Sequence, residues 1–195
     1  MLRAFLLIVD PSRTWEAIKN DAHGVVRLSL MFFLPLLVLT AAVEALGFMR
    51  LGVDHGTVNV NVVKAPLALA LRYEAVQAGL TLAIVYGGAV VLRLIGASFH
   101  RRHAYKECFT TLAYSVAPLL LCRTFDGIPV LQTWACYGVG VFLVVSLLYR
   151  GIPFILKPDP SNALGLFVIT SFLLLVVTGL AHYLVTLVLD EKILA

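Results

Sequence analysis

The chain has 195 residues, of which 61% are hydrophobic and 13% charged, and its formal net charge is +4. A soluble domain is close to half apolar and a quarter charged, because its surface must be hydrated. The composition therefore excludes an ordinary water-soluble enzyme and indicates a single membrane domain over residues 1–195. The basic residues lie mostly beside apolar runs, where anionic lipid headgroups would meet them, so nucleic-acid binding is not expected.

Residues 1–24 form a short segment before the first long apolar run and are predicted to be cytoplasmic or interfacial. Asp10 can cap a helix whose first residue is Pro11, a position where the missing N–H costs nothing. Trp15 and Ile18 then share a face, and a Trp on such a face favours an amphipathic helix at the membrane interface. The alternative is a helix packed against the membrane spans.

Five apolar runs follow, and a helix of about 20 residues crosses a bilayer core. The third run, residues 108–122, has only fifteen residues and reaches nineteen if residues 104–107 begin the helix. Pro35, near the middle of the first run, is expected to kink that helix. The sequence therefore predicts an all-α integral membrane protein, a bundle of five transmembrane helices. The predicted spans are residues 25–49, 73–95, 104–122, 128–149 and 163–189.

The third run decides the topology, because five crossings place the two termini on opposite sides. With the N-terminus in the cytoplasm, ten basic residues lie inside and five outside, as the positive-inside rule requires. A re-entrant third run would give four crossings and a weaker asymmetry, so five crossings are favoured. The inside residues are Arg3, Arg13, Lys19, Arg27, Arg93, Arg101, Arg102, Lys106, Arg150 and Lys157; the outside residues are Arg50, Lys64, Arg72, Arg123 and Lys192.

The loop between the first two spans is the least membrane-like part of the chain. The alternation Val58-Asn59-Val60-Asn61-Val62 is a weak strand signal. Pro66 then precedes the apolar stretch 67–71, which is predicted to be a helical turn leading into the second span. The basic link over residues 96–106 sits on the other side of that span. Its Arg101, Arg102 and Lys106 are candidate headgroup contacts.

Signatures of chemistry are missing from the sequence. There is no HExxH, GxSxG, Walker loop or CxxC, so neither an enzyme nor a cofactor or metal site is expected. The three cysteines, Cys108, Cys122 and Cys136, are fourteen residues apart inside apolar runs. Such cysteines are typically small buried apolar side chains.

Polar residues inside the spans are the candidate functional residues. Tyr114 and Ser115 lie near the middle of the third span, where a hydroxyl needs a hydrogen-bond partner, and Pro118 is expected to bend that helix. Hydrogen bonds between helices are the favoured role for the two hydroxyls. A substrate or ion pathway is the alternative.

Glu44 lies in the first span, about 10 Å outward of its centre at 1.5 Å per residue, and Gln77 and His182 fall at a similar depth. An ionisable group in a span is a functional hypothesis by default. These three residues form a candidate polar layer. The favoured role of Glu44 is a local anchor paired with Arg50 or Arg72, and a functional cavity is the alternative.

Three stretches are similar to one family. They are Pro11-x-x-x-Trp15-x-x-Ile18, the Gly96 link leading to Tyr114-Ser115-x-x-Pro118, and Gly151-x-Pro153-x-x-x-Lys157. Together they resemble the Yip family of five-span membrane proteins, in a short bacterial form. The resemblance implies five helices with a cytoplasmic N-terminus. Eukaryotic members are associated with Rab-type GTPases through a longer N-terminal region, so a GTPase partner is not expected here.

The expected function is that of a non-enzymatic scaffold in the inner membrane of a prokaryote, N-terminus cytoplasmic and C-terminus external. Its expected partners are membrane lipids and other membrane proteins or further copies of itself. The alternative function is a small transporter, channel or lipid translocator that uses the polar layer.

Overall fold

A computed structural model describes residues 2–21, 23–54, 62–99, 103–129 and 131–189. Helices make up nearly all of these residues, so the prediction of an all-α membrane protein is confirmed. Seven helices lie within the described ranges: α1 (Leu2–Val9), α2 (Pro11–Asp21), α3 (Val25–Arg50), α4 (Leu67–Ser98), α5 (Tyr105–Arg123), α6 (Thr133–Leu156) and α7 (Pro160–Leu189). Two short strands, β1 (Val53–Asp54) and β2 (Val62–Val63), pair antiparallel between α3 and α4.

The N-terminal segment is a hairpin of two helices instead of the single amphipathic helix expected at the interface. Asp10 separates α1 from α2, and its side chain accepts a hydrogen bond from the Arg13 N–H at 3.3 Å, as a capping residue does. The Trp15 side chain is fully buried against other helices of the bundle, so it is not placed among headgroups. The alternative of a packed helix therefore holds for α2.

Prolines in α3 and α6 coincide with π-helical turns. In α3 the turn Ser29–Phe33 ends two residues before Pro35, whose missing N–H interrupts the regular ladder. The predicted kink at Pro35 stays a prediction. In α6 the turn Ile152–Leu156 contains Pro153. That helix ends at Leu156 and is followed by Lys157, whose φ of 46° is left-handed. By contrast, α5 remains α-helical through Pro118.

The helix α5 occupies the centre of the bundle. Thirteen of its 19 residues are buried, and it contacts the helices on every side of it. Within the described ranges, α3, α4, α6 and α7 are long and apolar enough to cross a membrane. Because α5 is surrounded by protein, its surface does not need the apolarity of a lipid-facing helix. Its crossing, and with it the count of five spans, stays a prediction.

The helix α4 begins at Leu67, directly after Pro66, so the predicted helical turn is continuous with the second span. This start places residues 67–72 in the helix, earlier than the expected beginning at residue 73. The segment Val58–Asn61 of the predicted strand lies outside the described residues. The main core is built around α5, and a smaller core holds Phe48, Tyr73 and Val185 near the end of the bundle where α5 stops.

Candidate functional site

A buried arginine lies at the end of α5, surrounded by acidic side chains from two other helices. Nη2 of Arg123 donates to Oε2 of Glu44 at 2.7 Å and to Oε2 of Glu74 at 3.4 Å. The Arg123 residue is 5% exposed and Glu44 is fully buried. We call Glu44, Glu74, Gln77, Arg123 and the nearby Asp126 the Arg123 cluster. The end of the bundle that holds it is called the Arg123 end.

Two glycines bring the backbone of the α5–α6 link against α3 beside this cluster. A Cβ added to Gly127 would lie 2.9 Å from the Cα of Gly47 and 3.1 Å from the carbonyl oxygen of Glu44. A Cβ on Gly47 would likewise lie 2.7 Å from the Cα of Gly127. Only glycine permits such a close approach of two backbones. The contact holds α3 at the level where Glu44 faces Arg123.

The helix α4 supplies the next face of the cluster. Since this helix begins at Leu67, Glu74 lies about 10 Å inside it at 1.5 Å per residue. Gln77 follows three residues later on the same face; with its amide oxygen turned toward the guanidinium it accepts from Nη2 of Arg123 at 3.0 Å and from Nε. Tyr73 is fully buried beside Glu44 and packs edge-on against Phe48, with ring centroids 5.1 Å apart.

His182 of α7 closes the cluster from a third direction. Its ring is stacked on Tyr137 at 4.8 Å and meets Trp134 edge-on at 4.7 Å. With Gln77 and Arg123 it lines a cavity of about 30 Å³. Nε2 of His182 is buried and has no hydrogen-bond partner within the described structure. A cavity of this size and polarity holds one or two water molecules.

Asp126 adds a third carboxyl, in the link between α5 and α6. The residue is 7% exposed, and neither carboxyl oxygen finds a hydrogen-bond partner among the described residues. Burial and the neighbouring Glu44 raise the pKa of Asp126, Arg123 opposes them, and the result is a pKa of about 8.

Arg123 pairs with several other side chains of the cluster. A buried charge is costly unless it is paired, and removing one member of a buried pair destabilises a protein by about 3–5 kcal/mol. Arg123 provides the donors for Glu44, Glu74 and Gln77 together. Within the described ranges, no group of three His, Cys, Asp or Glu side chains is arranged to hold a metal ion. The arrangement fits charge neutralisation inside the bundle.

In the structure, the residues of the predicted polar layer lie around Arg123. The sequence analysis had counted Arg123 among the basic residues on the outer side of the membrane. Glu44 and Gln77 both bind Arg123, and His182 borders the same small cavity. The expectation that Glu44 anchors to Arg50 or Arg72 is corrected: its partner is Arg123, since Glu44 points into the bundle. Arg50 and Arg72 are both exposed.

The sequence analysis counted Arg123 among the outer basic residues because it stands at the end of an apolar run. Glu74 was missed for the same reason, as it directly precedes the charge-free run of the second span. The available signal was Pro66, which fixes the start of α4 and places Glu74 two turns inside the helix. Two acids within helices predict a buried basic partner.

The mid-span residues of α5 are buried but do not form one site. The Tyr114 ring packs against Phe32 at 4.3 Å and Trp15 at 6.3 Å, and its hydroxyl lies beside Arg3 of the hairpin. Ser115 is fully buried, and its hydroxyl has no partner within the described structure, so the expected hydrogen bond between helices is absent there. Pro118 is buried beside them.

Of the three candidate headgroup contacts, Arg101 and Arg102 lie outside the described residues. Lys106 is half-buried in the first turn of α5. In the same turn Glu107 accepts a hydrogen bond from the backbone N–H of Ala104 at 3.1 Å, which closes the start of the helix.

A family model described as the Yip1 domain matches residues 5–181. The chain belongs to this family. The match includes all three stretches on which the resemblance rested, both members of the Gly47–Gly127 contact and every residue of the Arg123 cluster. It supports a multi-pass membrane protein, in agreement with the apolar helices. No curated protein and no solved structure matches the chain.

Proposed function

We propose that this Yip1 domain protein is a non-enzymatic membrane scaffold that acts through helix and lipid-headgroup contacts. The observation that carries the proposal is the internal pairing of the Arg123 cluster. Arg123 binds Glu44, Glu74 and Gln77, and the cavity beside Arg123 has a volume of about 30 Å³, too small for a solute. A buried network of this kind stabilises one arrangement of helices, which suits a protein that organises its neighbours.

The proposed topology has five spans, with the N-terminal hairpin in the cytoplasm and the Arg123 end facing outward. The ten-to-five distribution of basic residues supports it. Arg123 is paired inside the bundle, so only four of the five outer basic residues still count as facing the outer side. The excess of inner over outer basic residues therefore increases. The proposed location is the inner membrane of a prokaryote.

The proposed lipid contacts lie at the hairpin end. Lys19 of α2 is next to Lys157, and this second ammonium lowers the pKa of Lys19. Nearby, Nη1 of Arg150 donates to the Ser12 hydroxyl at 3.3 Å. Such a concentration of basic groups favours anionic headgroups, at about 1 kcal/mol for each Lys or Arg near the surface. We also propose Arg101, Arg102 and Lys106, which the sequence predicts on the cytoplasmic side, as headgroup contacts.

The experiment compares thermal unfolding in nanodiscs of phosphatidylcholine with unfolding in nanodiscs containing phosphatidylglycerol. The wild type should be stabilised by the anionic lipid. The double variant Lys19→Gln/Lys157→Gln should lose most of this gain, whereas the control Arg50→Gln/Arg72→Gln, at the other end, should keep it. Equal responses of the two variants, or a wild type indifferent to the lipid, would rule out specific headgroup contacts.

A transporter or lipid translocator is the second candidate, favoured by the surplus of acidic groups over basic ones around Arg123. Proteoliposomes test it through proton and cation leak across the membrane. The scaffold predicts that the wild type and Glu44→Gln both leak no more than empty liposomes. A leak in the wild type that Glu44→Gln abolishes would show that the protein conducts ions, and the transport function would then replace the scaffold proposal.

A further inference from the structure

An apolar groove of about 400 Å³ runs between α4 and α7 on the outside of the bundle. Its walls include Leu80 and Ile95 on α4 and Leu173 and Leu180 on α7, and Leu112 of α5 lies at its floor. Thr170 is the single polar residue among the lining residues. Since Leu173 and Leu180 are themselves exposed, the groove opens toward the lipid.

Small residues of α4 create this groove. A Cβ added to Gly87 would meet nothing within 4 Å, and Ala83, one turn away, is also exposed. On the floor, a Cβ on Gly88 would lie 3.1 Å from Cδ1 of Leu112. A larger residue at 83 or 87 would fill the space without displacing the bundle, so the groove is a property of these positions.

The shape and chemistry of the groove select its occupant. The helices α4 and α7 contact each other, and Leu112 of α5 lies beneath the space between them. A volume of about 400 Å³ spread over a length of about 22 Å gives a mean cross-section of roughly 18 Å², far less than that of a helix about 10–12 Å across, whereas an extended hydrocarbon chain is thin enough to fit. An apolar lining does not hold ordered water, because water needs two to four polar partners.

The length of the groove fits the same occupant. Its lining on α4 extends from Leu80 to Ile95, about 22 Å at 1.5 Å per residue. One leaflet of a bilayer core is about 15 Å thick, half of about 30 Å. The groove is therefore long enough to hold an acyl chain that extends through one whole leaflet. An empty groove would forfeit the dispersion contacts of its walls.

We infer that this groove binds one acyl chain of a membrane phospholipid. The inference goes beyond the scaffold proposal and does not depend on it, because the groove lining is apolar and includes none of the proposed headgroup contacts. Ile84 and Ala181 line both the groove and the cavity beside Arg123, so the bound chain lies directly outside the polar cluster. Occupation of the groove would then shield that cluster from the bilayer.

The test counts phospholipids retained by the delipidated protein when dioleoylphosphatidylcholine is added back, measured by native mass spectrometry. The wild type should retain one lipid, and Ala83→Leu/Gly87→Leu should require at least tenfold more lipid for the same occupancy. The matched control is Gly138→Leu on α6, where an added Cβ also meets nothing within 4 Å. This control should bind as the wild type does.

Equal retention by the filled variant and the wild type would overturn the inference. A wild-type dimer that the filled variant converts to a monomer, without loss of lipid, would also overturn it, because the occupant would be a second copy. Thermal unfolding verifies that each variant is folded. If the double variant does not fold, Ala83→Val alone should still weaken retention, and unchanged retention in that variant would contradict the inference.

Discussion

The arginine–carboxylate pairs Arg123–Glu44 and Arg3–Asp21 lie at opposite ends of the bundle, and they differ in their surroundings. In the Arg123–Glu44 pair the side chains are 6% and 0% exposed. In the Arg3–Asp21 pair, which joins α1 to α2, they are 36% and 42% exposed. The same type of ion pair is therefore buried at one end of the bundle and solvated at the other.

The comparison shows that burial decides what each pair contributes. A solvated pair contributes little, since water and salt screen it. The N-terminal hairpin is accordingly held by apolar packing, with Trp15, Ala4 and Leu7 all fully buried. At the Arg123 end the opposite holds, because a carboxylate buried there is shielded from bulk water and depends on Arg123 for its pairing.

The largest effect is expected from Arg123→Gln. This substitution leaves Glu44 and Glu74 buried without a basic partner, and we expect a loss of about 3–5 kcal/mol in the free energy of unfolding. Unfolding in detergent, followed by circular dichroism, measures it. Adding Glu44→Gln to this variant should recover part of the loss, because one stranded carboxylate is removed.

The control for this prediction is Arg50→Gln. It makes the same change of charge at the same end of the bundle, but on an exposed residue at the end of α3. Exposed substitutions usually change stability by less than about 0.5 kcal/mol. Equal stability of the two variants would mean that the Arg123 cluster does not hold the bundle.

A substitution at Gly151 tests the opposite end, where packing should dominate. A Cβ there would lie 2.6 Å from Cζ2 of Trp15, whose ring is fully buried and cannot yield without moving α2. We expect Gly151→Ala to cost about 1–3 kcal/mol, as overpacking does. In a Trp134→Phe background, Trp15 fluorescence should shift to the red.

Gly138→Ala is the control, since the same helix is open at that position. It should leave the emission of Trp15 unchanged and raise stability by up to about 1 kcal/mol, as removal of a helical glycine does. Unshifted emission in Gly151→Ala would show that Trp15 does not secure the hairpin.

The fold was largely readable from the sequence because apolar runs and prolines have local consequences. Pro11 and Pro66 mark helix starts, and a π-helical turn lies just before Pro35. The buried hairpin was not readable, because an amphipathic helix with a Trp presents the same pattern to a headgroup layer and to a neighbouring helix. Trp15 packs against Gly151, and no local sequence pattern predicts this contact.

Only part of the site was readable from the sequence. Glu44 and Gln77 were recognised because polar groups inside spans are rare. Their partner Arg123 stands at the end of an apolar run, where a basic residue usually faces headgroups. Its burial depends on the Gly47–Gly127 backbone contact between segments 80 residues apart, and such a contact is set by tertiary packing.

The smallest effect is expected from Asp21→Asn, which removes the solvated pair. Arg3 lowers the pKa of Asp21, so the folded state favours the charged carboxylate. The pair therefore contributes above the ordinary carboxyl pKa, and the contribution is lost as the pH falls through the lowered pKa of the folded state. Thermal unfolding should show a decrease smaller than that of Gly151→Ala at neutral pH, shrinking in high salt and disappearing at acid pH. Because the hairpin keeps its apolar contacts, Trp15 emission should not move. A loss as large as that of Arg123→Gln would mean that exposure does not separate the two pairs, and the comparison between the two ends would be wrong.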